Sequence, residues 1–177
     1  MPVTTPKQKI QKTEMFGGDA IQIQLVGDYF DDCMKAAQDF CTKNDGYFLS
    51  PFDNQNIIEG QASVAVEIEA QLGFCPDHII MPVGGGGLSA GVLRYFEDNA
   101  QYTLVEPMGG ASLWAALIAG KPVPLEKVDT FADGAAVGKI GNKPFETLKS
   151  IGLANVLRAP EDLSLIHISE PTRHLDI

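Results

Sequence analysis

The sequence predicts an α/β fold with mainly parallel strands. Two observations carry that expectation. Short apolar strand-like segments alternate with helical segments along the chain. In addition, the run Met81-Pro82-Val83-Gly84-Gly85-Gly86-Gly87-Leu88-Ser89-Ala90-Gly91 joins an apolar stretch, His78 to Val83, to a helix-competent one, Leu88 to Asp98. A loop at the carboxyl end of a strand is where open α/β sheets bind ligands.

Taken in order, Thr5 before Pro6 reads as a helix cap with proline at the first helical position, opening a helix that ends at Gly17-Gly18. Ala20 to Val26 alternates apolar and polar residues and predicts a strand. Asp28 to Asn44 predicts a helix capped by Asp28, with Asp31 and Asp32 at the favourable end of its dipole. Phe30, Cys33, Ala37, Phe40 and Cys41 form its apolar face. Tyr47 to Leu49 predicts a short strand. Asp53 or Asn54 then caps a long helix, Gln55 to Leu72, closed by Gly73.

Beyond the glycine loop, Tyr102 to Val105 predicts a strand ending at Glu106-Pro107. Ala111 to Ala119 predicts a helix closed by Gly120, Asp133-Gly134 a turn, and Lys143 to Ile151 a further helix.

Composition narrows the function. The net charge of −10 argues against nucleic acid and anionic membrane as partners. No run approaches the ~18 apolar residues of a membrane span. The N-terminus lacks the apolar core of a signal peptide. Cys33, Cys41 and Cys75 cannot all pair and have no metal-ligand spacing, so reduced thiols in a cytoplasmic protein are expected. Cys33 and Cys41 read as core filler.

The glycine loop is the functional signal. Glycines admit positive φ and close backbone approach, at a cost of roughly 0.5–1 kcal/mol each, which a plain turn does not require four times over. Successive N–H groups make an anion nest, and a helix start adds its dipole. Ser89 offers a further hydroxyl donor. Two cofactors fit. For a dinucleotide, Gly85-x-Gly87-x-x-Ala90 matches the loose fingerprint, and Glu106 ends the next strand as a ribose contact should. For pyridoxal phosphate, a single phosphate suits a compact all-glycine cup.

Here the residues resemble a known family. Met81 to Gly91 looks like the phosphate loop of the fold-type II (tryptophan synthase β-like) pyridoxal-phosphate enzymes, in the serine/threonine dehydratase and serine racemase group. Met1-Pro2-x-x-Thr5-Pro6, with Lys7 and Lys9, resembles that group's MPxxTPxxK segment. Pro51-Phe52-Asp53 through Glu59-Gly60-Gln61 resembles its PFDxxxxIxGQGT segment, with Ala62-Ser63 in place of Gly-Thr. Val105-Glu106-Pro107, Gly110-Ala111-Ser112 and Phe131-Ala132-Asp133-Gly134 follow in the expected order. The likeness covers about residues 1–160 and is nearest the threonine dehydratase branch.

That resemblance implies a two-domain, open parallel-sheet fold and pyridoxal 5′-phosphate as cofactor. Gly84, Gly85, Gly86, Gly87 and Leu88 would bind its phosphate through backbone N–H groups. The implied reaction is β-elimination on L-threonine or L-serine. Loss of the α-proton and β-hydroxyl gives an enamine, which hydrolyses to a 2-oxoacid and ammonia; with threonine this serves isoleucine biosynthesis. A homo-oligomer is also implied.

The family's Schiff-base lysine, its upstream substrate loop and its downstream serine at the pyridine nitrogen find no match here, so no catalytic residue is assigned. Lys7, Lys9, Lys12, Lys35 and Lys43 read as solvated charges, since an activated lysine needs a desolvated or cationic pocket. In the serine racemase branch a glutamate placed like Glu106 helps bind a divalent metal with a second acidic residue. Ser112 or Ala111 stands where that partner belongs, so no metal is expected.

The chain therefore reads as an internal fragment, inactive by itself. Residues 1–46 are expected to be part of a small domain, and 47–162 part of a large cofactor-binding domain. The run from Leu163 to Arg173 resembles the in-frame translation of a sequencing adapter, so 163–177 is expected to be non-native, with no role for His167 or His174. Two other readings stand beside this one: a Rossmann-type oxidoreductase fragment, and a genuine short non-catalytic module. A fragment should expose apolar faces and dissolve poorly.

Overall fold

A computed structural model describes every residue except 29, 130, 133, 161 and 164–177. The expected tail beyond Leu163, and Asp133 of the expected turn, lie outside the described residues. The side chains of Phe30 and Asp31 are likewise not described. The chain forms two compact units, Met1–Leu49 and Ser50–Ile177.

The first unit contains helix α1 (Lys7–Gly17) and helix α2 (Phe30–Lys43). Pro6, not Thr5, caps α1. The Thr5 hydroxyl donates instead to the Pro2 carbonyl at 2.7 Å, closing the preceding turn. The strand expected at Ala20 to Val26 is not formed. A 3-10 turn covers Gly18–Ala20, and the following residues touch the N-terminal segment through separate bonds: Val26 N–H to the Met1 carbonyl, Val3 N–H to the Gly27 carbonyl. Alternation favours extended backbone, but a strand also needs a neighbour with a continuous ladder. Tyr47 to Leu49 fails for the same reason. On α2, Cys33 and Cys41 are half-buried free thiols, and Phe40 of the expected apolar face is 50% exposed.

The second unit is a three-stranded parallel sheet with helices. Strand β1 (His78–Pro82) pairs with β2 (Gln101–Pro107), and β2 pairs with β3 (Val156–Ala159). Met81 stands opposite Leu104, and Leu104 opposite Val156. All three are buried. Strand β3 was not expected from sequence, because two apolar residues followed by Arg158 carry almost no periodic signal.

The long helix expected before the sheet divides into α3 (Gln55–Gln61) and α4 (Ser63–Leu72). At the break the Ala62 N–H is shared between the Ile58 and Glu59 carbonyls, a tightened turn of 3-10 type. Asn54 is the cap: its side chain accepts from the Asn56 N–H at 2.9 Å. Helix α5 (Gly87–Phe96) follows the glycine loop and packs on α3, α4 and α7 (Asn142–Leu148). Helix α6 (Ser112–Ala119) follows β2 and ends at Gly120 in the left-handed region. The core gathers Ile58, Val83, Val92, Phe96, Leu104, Leu113 and Leu148.

The sheet has one covered face and one open one. Ile80 on β1 is 70% exposed and Leu157 on β3 is 54% exposed. Parallel sheets are ordinarily covered on both faces. We therefore expect the isolated chain to self-associate. Light scattering should fall when Ile80→Lys places a charge on that face; unchanged scattering would show that association runs through another surface.

Candidate functional site

The glycine loop leaves β1 and turns directly into α5. Gly86 is the pivot. Its φ of +86° lies in the left-handed region, and it is the N-cap of α5. A side chain there would also meet Pro144, at 2.9 Å from the new Cβ. The loop is held from three sides. Val83 N–H donates to the Val105 carbonyl at 2.8 Å, tying the loop's entry to β2. Gly141 N–H donates to the Gly85 carbonyl at 3.2 Å. The Phe52 ring lies against the loop so closely that a Cβ on Gly85 would stand 2.2 Å from it.

Among the described residues, no carbonyl or side chain accepts from the N–H groups of Gly84, Gly85, Gly86, Gly87 or Leu88. The first donors of a helix have no partner within it. These groups border a cavity of about 250 Å³ between Phe52, Gln61, the glycine loop and Ala135. A complete small-molecule pocket is typically ~300–1,000 Å³, so this cup suits a phosphate with part of its parent molecule. Its described lining holds no charged side chain. The pull on an anion comes from backbone donors and the helix dipole alone. The structure thus brings Gly84, Gly85, Gly86, Gly87 and Leu88 to one small cavity. Ser89 is different: the residue is 1% exposed and its hydroxyl donates to the Pro82 carbonyl at 3.1 Å, so it stabilises the loop's entry instead of offering a ligand donor.

Glu106 is not a ligand contact either. It is fully buried at the end of β2. Its two carboxylate oxygens accept from the N–H groups of Leu113 at 2.7 Å and Trp114 at 2.8 Å, in the first turn of α6. Burial pushes its pKa up from 4.5 to about 7, while those N–H groups, that of Ser112 and the Arg158 charge pull it back. Nearby, Arg158 sits over the Trp114 ring at 4.5 Å, and the buried Ser112 hydroxyl has no partner among the described residues. A carboxylate engaged in this way cannot hold a ribose, which removes the main support for the dinucleotide reading. Among the described residues, no three histidine, cysteine or acidic side chains gather where a metal could bind. His78 is exposed and bonds the Thr103 hydroxyl across the β1–β2 pair at 2.8 Å.

Asp53, expected as a helix cap and as part of the Pro51-Phe52-Asp53 segment, is not the cap; it accepts from the Lys143 N–H at 2.7 Å and the Asn142 side-chain amide at 3.1 Å. The partners are about 90 residues away, so no local pattern could signal the pair.

The family model described as pyridoxal-phosphate dependent enzyme matches residues 1–162. The chain belongs to the pyridoxal-phosphate dependent enzyme family. This agrees with the resemblance carried by the loop and its flanking segments. Within the family, the chain is 45% identical to the L-threonine dehydratase biosynthetic IlvA of Lactococcus lactis subsp. lactis over 154 residues, covering 84% of this chain and 37% of the relative. It is 42% identical to the protein of the same name from Bacillus subtilis over 164 residues, covering 91% and 39%. In structure it resembles the processed form of threonine deaminase isoform 2 from Solanum lycopersicum, with a TM-score of 0.77 and 37% identity, covering 90% of this chain and 46% of that one. Maize serine racemase shares the fold, with a TM-score of 0.80 at 21% identity. The chain spans less than two-fifths of the length of these two curated relatives. Among the described residues, no helix is long and apolar enough to cross a membrane.

Proposed function

We propose that this chain is the phosphate-holding part of a lyase that dehydrates and deaminates L-threonine to 2-oxobutanoate and ammonia in isoleucine biosynthesis, with L-serine as a second substrate giving pyruvate and ammonia. The observation that carries the reading is the cup itself: N–H groups of Gly84, Gly85, Gly86, Gly87 and Leu88, without an acceptor among the described residues, around a small cavity at the start of α5. The names of the relatives supply the substrate. In this reading 1–46 belongs to a small domain, 47–162 to the large cofactor-binding domain, and 163–177 is non-native. The assembled enzyme is a cytoplasmic homo-oligomer whose substrate is an amino acid.

Bound here, pyridoxal phosphate would act as the electron sink that lets an amino acid lose its α-proton. The residues of this chain supply position. The loop's N–H groups neutralise the phosphate in place, and the fixed φ of Gly86 keeps them aimed before the ligand arrives. Phe52 and Gly141 hold the loop in place.

A chimera tests this. Residues 1–162 would replace the matching segment of the Lactococcus lactis relative, and 2-oxobutanoate from threonine and pyruvate from serine would be followed. Threonine turnover above serine turnover is the expected result. A folded chimera that takes up pyridoxal phosphate yet acts on neither amino acid overturns the substrate assignment. In the same chimera, Gly85→Ala should weaken cofactor affinity by about tenfold, roughly 1.4 kcal/mol, because the new methyl must displace Phe52 or the loop. Unchanged affinity would remove Gly85 from the cup.

A further inference from the structure

We infer that Asp53 is a positioning residue for the phosphate loop, acting through α7, and this inference rests on the phosphate-cup reading above. Its carboxylate reaches across from the turn before α3. One oxygen accepts the Lys143 N–H at 2.7 Å and the other the Asn142 amide at 3.1 Å. Asn142 and Lys143 are the first two residues of α7, where N–H groups have no partner within the helix. The residue before them, Gly141, donates its own N–H to the Gly85 carbonyl at 3.2 Å. The side chains behind them close the other flank: a Cβ on Gly86 would lie 2.9 Å from Pro144 and 3.2 Å from both Ile140 and Leu148.

The residue beside Asp53 completes the clamp. Phe52 covers the opposite side of the loop, 2.2 Å from the Cβ position of Gly85 and 3.1 Å from that of Gly87. Phe52 also approaches the Cβ position of Gly141, at 3.0 Å. The glycine loop is therefore gripped between Phe52 and the 140–148 segment, and the Asp53 carboxylate ties those two jaws together. A glycine run has no side chains with which to fix its own conformation, so an outside tie must hold its donors in line. That function needs an acceptor with two oxygens at position 53 and no direct contact with the ligand.

The test measures preference for a phosphate-bearing ligand, not activity. Equilibrium dialysis of the 177-residue chain with pyridoxal 5′-phosphate and with pyridoxal gives the ratio of the two dissociation constants, and melting temperature is followed in parallel. We expect the wild-type chain to prefer the phosphate ester and inorganic phosphate to compete. Asp53→Ala should cut the preference by about tenfold, and Asp53→Asn, which keeps one acceptor for the Lys143 N–H, by about threefold. A purely structural role would lower both affinities together and leave their ratio unchanged. If Asp53→Ala does not fold, Asp53→Asn and Asn142→Ala decide the matter. A wild-type preference that survives intact in the folded variants overturns the clamp alone. No preference in the folded wild-type chain overturns the cup, and the clamp with it.

Discussion

Gly91→Ala should destabilise the second unit by about 3 kcal/mol, a large share of the ~5–15 kcal/mol that holds a domain of ordinary stability. Gly91 lies on α5 where the α3–α4 break crosses it. A Cβ there would stand 2.5 Å from the Ile58 carbonyl oxygen, 2.8 Å from the Ala62 nitrogen and 3.1 Å from the Gln61 carbonyl carbon. All three are backbone atoms, so no side-chain rotation relieves the overlap. Relief requires α3 and α4 to move off α5, which opens the packing around Ile58 and Ala65, both fully buried. A urea melt followed by circular dichroism measures the effect. Gly73→Ala serves as a comparison, because nothing lies within 4 Å of its Cβ position and the cost there is confined to its φ of +77°. If Gly91→Ala were no worse than Gly73→Ala, the close crossing of the helices would be refuted.

The second large effect is at Glu106, and it depends on pH. Glu106→Ala leaves the N–H groups of Leu113 and Trp114 without acceptors at the start of α6, a loss of about 2–4 kcal/mol. The wild-type carboxyl makes its own pH signature. Its folded pKa, about 7, lies above the unfolded value of 4.5, because burial outweighs the helix N–H groups and Arg158. The protonated folded state is therefore favoured. This contribution is fully present below pH 4.5 and is lost as pH rises through 7, amounting to about 3 kcal/mol across that window. Unfolding free energies at pH 5 and pH 8 should differ in that direction. Glu106→Gln cannot ionise and should flatten the difference, although it replaces one acceptor oxygen with a donor amide. A slope that persists in Glu106→Gln would place the titration elsewhere.

Some features of this chain were legible without coordinates because each is encoded within a few residues. Four consecutive glycines between an apolar run and a helical one announced the cup. Gly73 and Gly120 marked the ends of α4 and α6, where only a residue tolerant of positive φ fits easily. Asn54 was readable as a cap from its place before α3. Other expectations failed where the outcome depended on a distant partner. Ala20 to Val26 has the alternation of a strand but no continuous ladder beside it. Ser89 reads as a ligand donor in sequence, yet its hydroxyl donates to the Pro82 carbonyl. Glu106 ended the expected strand, but its role waited on where α6 would begin.

The sequence alone determined the α/β class, the strand-loop-helix unit and the glycine run that lines the cavity. Each depends on backbone preference and hydrophobic period, which are properties of neighbouring residues. Only the tertiary structure decided what holds that cup. Phe52 on one side, the 140–148 segment on the other, and the Asp53 carboxylate between them come from places some 90 residues apart. It also decided that Glu106 is buried, and burial is what moves its pKa. Local chemistry selects which groups are available, and packing selects which of them meet and which lose their water.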